Sequence, residues 1–154
     1  MIKSIPRLLL IFLLFFNAIG AYYGSYSFLT DPTGASLQAP SDMLNGSIFK
    51  DFFIPGIFLL LVNGILPTVA VIGLILRRPQ QPLPGFGLLN DYHWAWSLAL
   101  ISGLGLLIWI AVQIAMIGYW KEPPIQAVYG GLGLVITALT LLPSVRNFYR
   151  FHTA

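Results

Sequence analysis

Four apolar stretches, at about 8–28, 54–76, 94–119 and 125–145, contain no ionised side chain, and every charge in the chain lies between or outside them. About twenty apolar residues let an α-helix cross a bilayer, at ~1.5 Å per residue over ~30 Å of hydrocarbon. The pattern predicts an all-α fold, a four-helix transmembrane bundle with a short amphipathic segment in the first outer loop. Residues 1–154 are expected to form a single four-span membrane domain. Of the 154 residues, 57% are hydrophobic and only 8% are charged. A soluble domain carries roughly a quarter charged residues, so this chain would lack a wettable surface.

Lys and Arg placement predicts orientation. Lys3 and Arg7 precede the first stretch, Arg77 and Arg78 follow the second, and Arg146 and Arg150 follow the fourth. If all four stretches cross, those six share one side, and only Lys50 and Lys121 face the other. The positive-inside rule makes the richer side cytoplasmic, so both termini are expected inside a cell inner (plasma) membrane. Asp31, Asp42, Asp51 and Glu122 then lie outside and Asp91 inside. The basic residues sit at helix ends, which predicts topological anchoring and no nucleic-acid partner. The first stretch has a second reading. Met1 to Arg7 is basic, 8–16 is apolar, and Ala18-Ile19-Gly20 offers the small residues of a cleavage site. Apolar character continues through Tyr22, Tyr23, Tyr26, Phe28 and Leu29, which suits a full span better than a cleaved leader.

The first connection, about 30–52, is the longest. Asp31-Pro32-Thr33-Gly34 reads as a β-turn. Met43, Leu44, Ile48, Phe49, Phe52 and Phe53 recur at near-helical spacing, which predicts a short amphipathic helix on the outer leaflet or capping the bundle. Pro67 falls in mid-span. It has no backbone donor, so it leaves the Asn63 carbonyl unpaired and predicts a kink near Asn63–Pro67. The second connection, 77–92, carries Pro79, Pro82 and Pro84 and is expected to be extended. Trp94 and Trp96 read as the inner boundary of the third span, and Tyr119 and Trp120 as the outer one. Lys121-Glu122-Pro123-Pro124 then makes a tight outer turn.

Several chemistries are absent. With no cysteine, disulfides, thiolate metal sites and lipidation at Cys are excluded. No ionisable Asp, Glu, Lys, Arg or His lies within a span, which argues against proton-coupled transport. His93, His152 and Asp91 lack the spacing of a metal site, and Ser97 lacks the turn of a nucleophile elbow. No catalytic residue, metal or cofactor is expected.

The uncharged polar residues inside the spans are the candidates that remain: Asn17, Asn63, Gln113, Thr137 and Thr140. An unpaired amide in hydrocarbon is costly, so these groups should face protein, water or a polar ligand. Depth counted along the spans predicts that Asn17 and Asn63 face the bundle interior at similar depth, within reach of each other or of a shared water. Gln113 should lie nearer the outside, and Leu74 should face lipid. Small residues mark close packing: Gly20 and Gly24 in the first span, Ala127 and Gly131 in the fourth. Both pairs lie toward the outer leaflet, where spans one and four are expected to meet.

Phe52-Phe53-Ile54-Pro55-Gly56 opening span two and Leu142-Pro143-Ser144-Val145-Arg146 closing span four, with the four-span layout, resemble small bacterial four-helix integral membrane proteins of uncharacterised function. The resemblance implies the architecture and supplies no activity. The expected function is non-enzymatic, through lateral contacts with membrane lipids, a protein partner or a second copy of the chain. The alternative is a small oligomeric transporter or channel, its path lined by Asn17, Asn63 and Gln113.

Overall fold

The computed structural model describes residues 4–39, 42–76 and 91–151. Helix α1, Ile5–Thr30, starts with Pro6 in its first turn, where the missing donor costs nothing. Its buried face repeats every three or four residues through Leu10, Leu14, Asn17, Ala18, Ala21 and Ser25. Phe12, Phe15, Ile19, Tyr23 and Tyr26 are exposed. Polar groups face in and large apolar ones face out, the reverse of a soluble helix and suited to a surface in lipid.

Helix α2, Phe53–Leu76, is continuous, but its Leu59–Ile65 segment is wound as a π-helix. Helix α3, Trp94–Ile117, is capped by the His93 ring, whose Nδ1 accepts the Ala95 N–H at 3.2 Å. It stops at Gly118, whose φ of 77° is open to glycine and strained for other residues. Helices α4, Ile125–Leu141, and α5, Pro143–Tyr149, are bent by 60° at Leu142. Helices α1, α2 and α3 are each long and apolar enough to cross a membrane, and α4 with α5 makes a fourth if the bent pair is one span.

Three sequence expectations need correction here. The fourth span was expected to run to 145, but α4 ends at Leu141. Leu142 precedes Pro143, whose ring disfavours a helical Leu142, and it is extended at φ −54° and ψ 134°. The third helix ends at Ile117, two residues before the expected 119, because Gly118 takes a non-helical φ. The amphipathic segment is not a helix from Met43 to Phe52; Phe53 already begins α2. Residues 42–51 form turns and bends, and a 3₁₀ turn, Ala35–Leu37, lies earlier in the first connection. Met43, Leu44, Phe49 and Phe52 still turn inward, while Ile48 is 88% exposed. Most of the second connection and His152 lie outside the described residues.

Each long helix packs on the next, and α4 returns to α1. One end of the molecule carries the connections 31–52 and 118–124 and is called the loop end. The other carries Arg7 and Tyr149 and is called the terminal end. The terminal half is dense, with Leu10, Leu14, Ala70, Ala95, Ala99 and Ile136 fully buried. Several of its polar groups are paired across helices, while Ser97 Oγ and Arg7 Nε are buried without a hydrogen-bond partner. The Trp96 indole donates to the Thr140 carbonyl at 2.8 Å, and the Tyr149 hydroxyl to the Leu74 carbonyl at 3.2 Å. Arg146 donates to the Tyr92 hydroxyl, and the Arg7 guanidinium lies 3.5 Å over the Phe148 ring. Trp96, expected at an interface, is 2% exposed, because the break at Leu142 leaves the Thr140 carbonyl for its indole to fill. Leu74, expected to face lipid, is 3% exposed under α3 and Tyr149.

Candidate functional site

Pro67 sets the site in motion. Without an N–H it cannot close the helical turn onto the Asn63 carbonyl. The chain upstream relaxes into the wider π winding of Leu59–Ile65, with the Leu66 N–H reaching back to the Leu61 carbonyl. The expected discontinuity is therefore present as a widened turn. The Asn63 carbonyl takes a donor from another helix instead: Asn17 Nδ2 lies 3.2 Å away. One turn on, Thr68 Oγ1 donates to the Gly64 carbonyl at 2.8 Å and meets the Tyr22 hydroxyl at 2.9 Å. Two contacts between α1 and α2 thus straddle the irregular turn.

Asn17 and Asn63 are 0% and 1% exposed. Only one of their four side-chain polar atoms is paired within the protein. Asn17 Oδ1 and both Asn63 Oδ1 and Nδ2 are buried without a hydrogen-bond partner. Each such group costs about 1–3 kcal/mol when nothing meets it.

Both amides line a cavity of about 490 Å³ that fills the loop-end half between the helices. Leu106 and Ile110 of α3 stand with the amides at its inner end. Its walls include Phe28 of α1, Leu59 of α2, Trp109 of α3 and Tyr129 of α4. Leu37, Met43, Leu44, Phe49 and Phe52 roof it from the first connection. Phe52 stacks on Phe28 at 4.7 Å between ring centroids, and its N–H bonds the Pro32 carbonyl at 2.9 Å. The volume lies within the range of small-molecule pockets, and the lining has their character, mostly apolar with a few convergent polar groups. Among the described residues no Asp, Glu, Lys, Arg or His lines it.

The other expected residues fall as follows. Gln113 is half-buried and lines the cavity in its loop-end part. Gly20 meets the Tyr129 ring, which occupies the space a Cβ would need. A Cβ on Gly24 would lie 3.0 Å from Leu59 on α2. Helices α1 and α4 therefore meet through Gly20, with Tyr129 rather than a small residue opposite. Ala127 and Gly131 do not pack against another helix as expected: both are exposed, and a Cβ on Gly131 would meet nothing within 4 Å. They lie on the face of α4 turned away from the other helices. The close approach on α4 is at Gly133, where a Cβ would sit 3.3 Å from the Gly103 carbonyl of α3.

Sequence reasoning missed Gln126, and it anticipated a segment capping the bundle but gave it the wrong backbone. The roof residues carried an apolar signal that was read as helix periodicity. Gln126 braces the tight turn, accepting the Trp120 N–H at 2.8 Å and donating to the Gly118 carbonyl at 3.1 Å. Its signal was a polar side chain two residues past Pro123-Pro124, close enough to return to the turn. Among the described residues no group of three His, Cys, Asp or Glu could hold a metal ion. Comparison with protein-family models, with curated proteins and with solved structures finds no match to this chain.

Proposed function

We propose that this chain is a four-span membrane protein that acts without catalysis, by holding a lipid-derived molecule in its loop-end cavity. The observation that carries this reading is an apolar cavity of about 490 Å³ with three unpaired amide atoms at its inner end. A helix assembly with no guest would gain by collapsing that space and pairing those atoms. The absence of acids, bases and imidazoles from the lining favours binding over chemistry. Lys and Arg placement favours both termini on the cytoplasmic side, which supports a cavity in the outer half of the membrane. The test is native mass spectrometry of the full chain released from its own membrane. A retained lipid-like mass, displaced by Ala21→Leu inside the cavity, supports the reading, and a bare protein under gentle release contradicts it.

A second reading, lateral contact with a partner helix, has one observation behind it. The open face at Ala127 and Gly131 lets a neighbouring backbone approach. The chain has no cysteine, so Ala127→Cys makes a clean cross-linking probe. The transporter alternative has less support. Asn17 and Asn63 face inward, away from any path between copies, and Leu10, Leu14 and Ile136 pack the half beyond them.

A further inference from the structure

The two ends of the cavity differ in what they offer a guest. The inner end has two acceptor oxygens, Asn17 Oδ1 and Asn63 Oδ1, and the Asn63 Nδ2 donor, all unpaired within the protein. A flipped Asn63 carboxamide presents the same donor and acceptor. The loop end is roofed by Phe28, Met43, Leu44, Phe49 and Phe52; of its two amides, Gln126 spends its polar atoms on the turn and Gln113 stands half-buried on the wall. Between Asn17 and Phe28, α1 rises by about 16 Å, a length suited to an alkyl chain.

The usual arrangement, a polar head at the membrane surface and a tail toward mid-bilayer, would set hydrocarbon against the unpaired amides. It would leave them with no partner, at the cost buried polar groups carry. A charged head at the amides fails as well, because no counter-charge lines the cavity among the described residues. An uncharged group that both donates and accepts meets two of the three atoms as a hydroxyl and has donors for both oxygens as a primary amide.

Resting on the reading of this cavity as a lipid site, we propose that it binds a neutral amphiphile with its polar group inward. A hydroxyl or primary amide reaches the Asn17–Asn63 pair as the carboxamides, closed to solvent in this structure, turn toward the cavity, and the alkyl chain points toward the loop end. The class is the uncharged single-chain lipid: a long-chain alcohol, a fatty amide or a protonated fatty acid. One hydroxyl supplies a donor for an Asn oxygen and an acceptor for Asn63 Nδ2.

Two tryptophans make the orientation measurable. Trp109 lies one turn loopward of Leu106, and Trp120 lies at the turn beyond α3, both on the cavity wall. The full chain in nanodiscs is titrated with tetradecanol brominated either beside the hydroxyl or at the chain end. Tetradecane and tetradecylammonium with a terminal bromine serve as comparisons at equal membrane mole fraction. The expected result is saturable tryptophan quenching by the alcohol, at least about tenfold tighter than by the ammonium or the alkane, the scale of one unmet buried hydrogen bond. Chain-end bromine should quench Trp120, a signal lost in Trp120→Phe, and bromine beside the hydroxyl should quench Trp109. Asn63→Leu should weaken the alcohol about tenfold and leave the alkane unweakened. The wild-type series carries the test if that variant fails to fold.

Equal saturable binding of alkane and alcohol, or reversed bromine positions, would overturn the inward polar group while leaving a lipid cavity in place. Efficient quenching of Trp109 by water-soluble acrylamide would mean a water-filled cavity and would overturn the proposal. No saturable quenching by any probe would overturn both this inference and the cavity reading.

Discussion

The two halves of this molecule are built from the same four apolar stretches and solve the same problem in opposite ways. At the terminal end a helix break exposes a carbonyl at Thr140, and a rigid aromatic donor, Trp96, fills it within a packed core. At the loop end a proline frees a carbonyl at Asn63. A small amide, Asn17, fills it and leaves three polar atoms unpaired beside a cavity. A Trp brings bulk with its donor, so the joint closes. An Asn brings a donor without bulk and with further polar atoms, so the space beside it stays open. The difference is one of side-chain volume and valence at two equivalent backbone defects.

The contrast can be broken most forcefully at the dense joint. Trp96→Ala should lower stability by about 3–5 kcal/mol, through the lost volume and the stranded Thr140 carbonyl. Unfolding in mild detergent, followed by circular dichroism, measures it, and a loss below that of a cavity-lining change would deny that the terminal half carries the fold. Asn17→Leu should cost less, about 1–3 kcal/mol, since it removes one hydrogen bond and one unpaired oxygen together. Ala21→Leu sharpens the comparison from the other side. It puts bulk into the cavity, so stability should hold or rise by about 0.5–1 kcal/mol while guest retention falls. The same change in a packed half would be destabilising.

The smallest expected effect lies in the first connection. Asp31 accepts hydrogen bonds from the Thr33 hydroxyl and from the Thr33 and Ser36 N–H groups. The Thr33 hydroxyl first, then the Ser36 N–H, hold its carboxyl below the usual aspartate range. Its folded value is depressed, so its contribution is present above the ordinary aspartate value and is lost as pH falls through the folded one. Amide exchange at Thr33 and Ser36, corrected for intrinsic rate, should therefore quicken on acidification below that range and not in Asp31→Asn. Equal acid response in both would remove Asp31 from the loop's support.

How much of this was legible follows from where the signal resides. The helices could be read because apolar runs and prolines are local. Pro67 even identified the carbonyl it frees, and depth counting brought Asn17 to it. The cavity could not be read, since it depends on how far apart α1 and α3 stand, which no local pattern encodes. The roof misled because inward Met43, Leu44, Phe49 and Phe52 are spaced like a helix face while the backbone turns. Ala127 and Gly131 misled because small residues permit close approach without requiring it. Trp96 and Leu74 depart from expectation through the same bend: it frees the Thr140 carbonyl that the Trp96 indole fills, and it brings Tyr149 of α5 onto the Leu74 carbonyl.

The central claim is that the Asn17 amide stands in for the donor Pro67 lacks, and so holds the loop-end half in its open form. A double-mutant cycle on unfolding free energy tests it with Asn17→Leu, Pro67→Ala and the pair. Pro67→Ala restores a backbone N–H able to reach the Asn63 carbonyl, so Asn17→Leu should cost at least about 1 kcal/mol less in that background than in the wild type. An equal cost of Asn17→Leu in both backgrounds would contradict the claim.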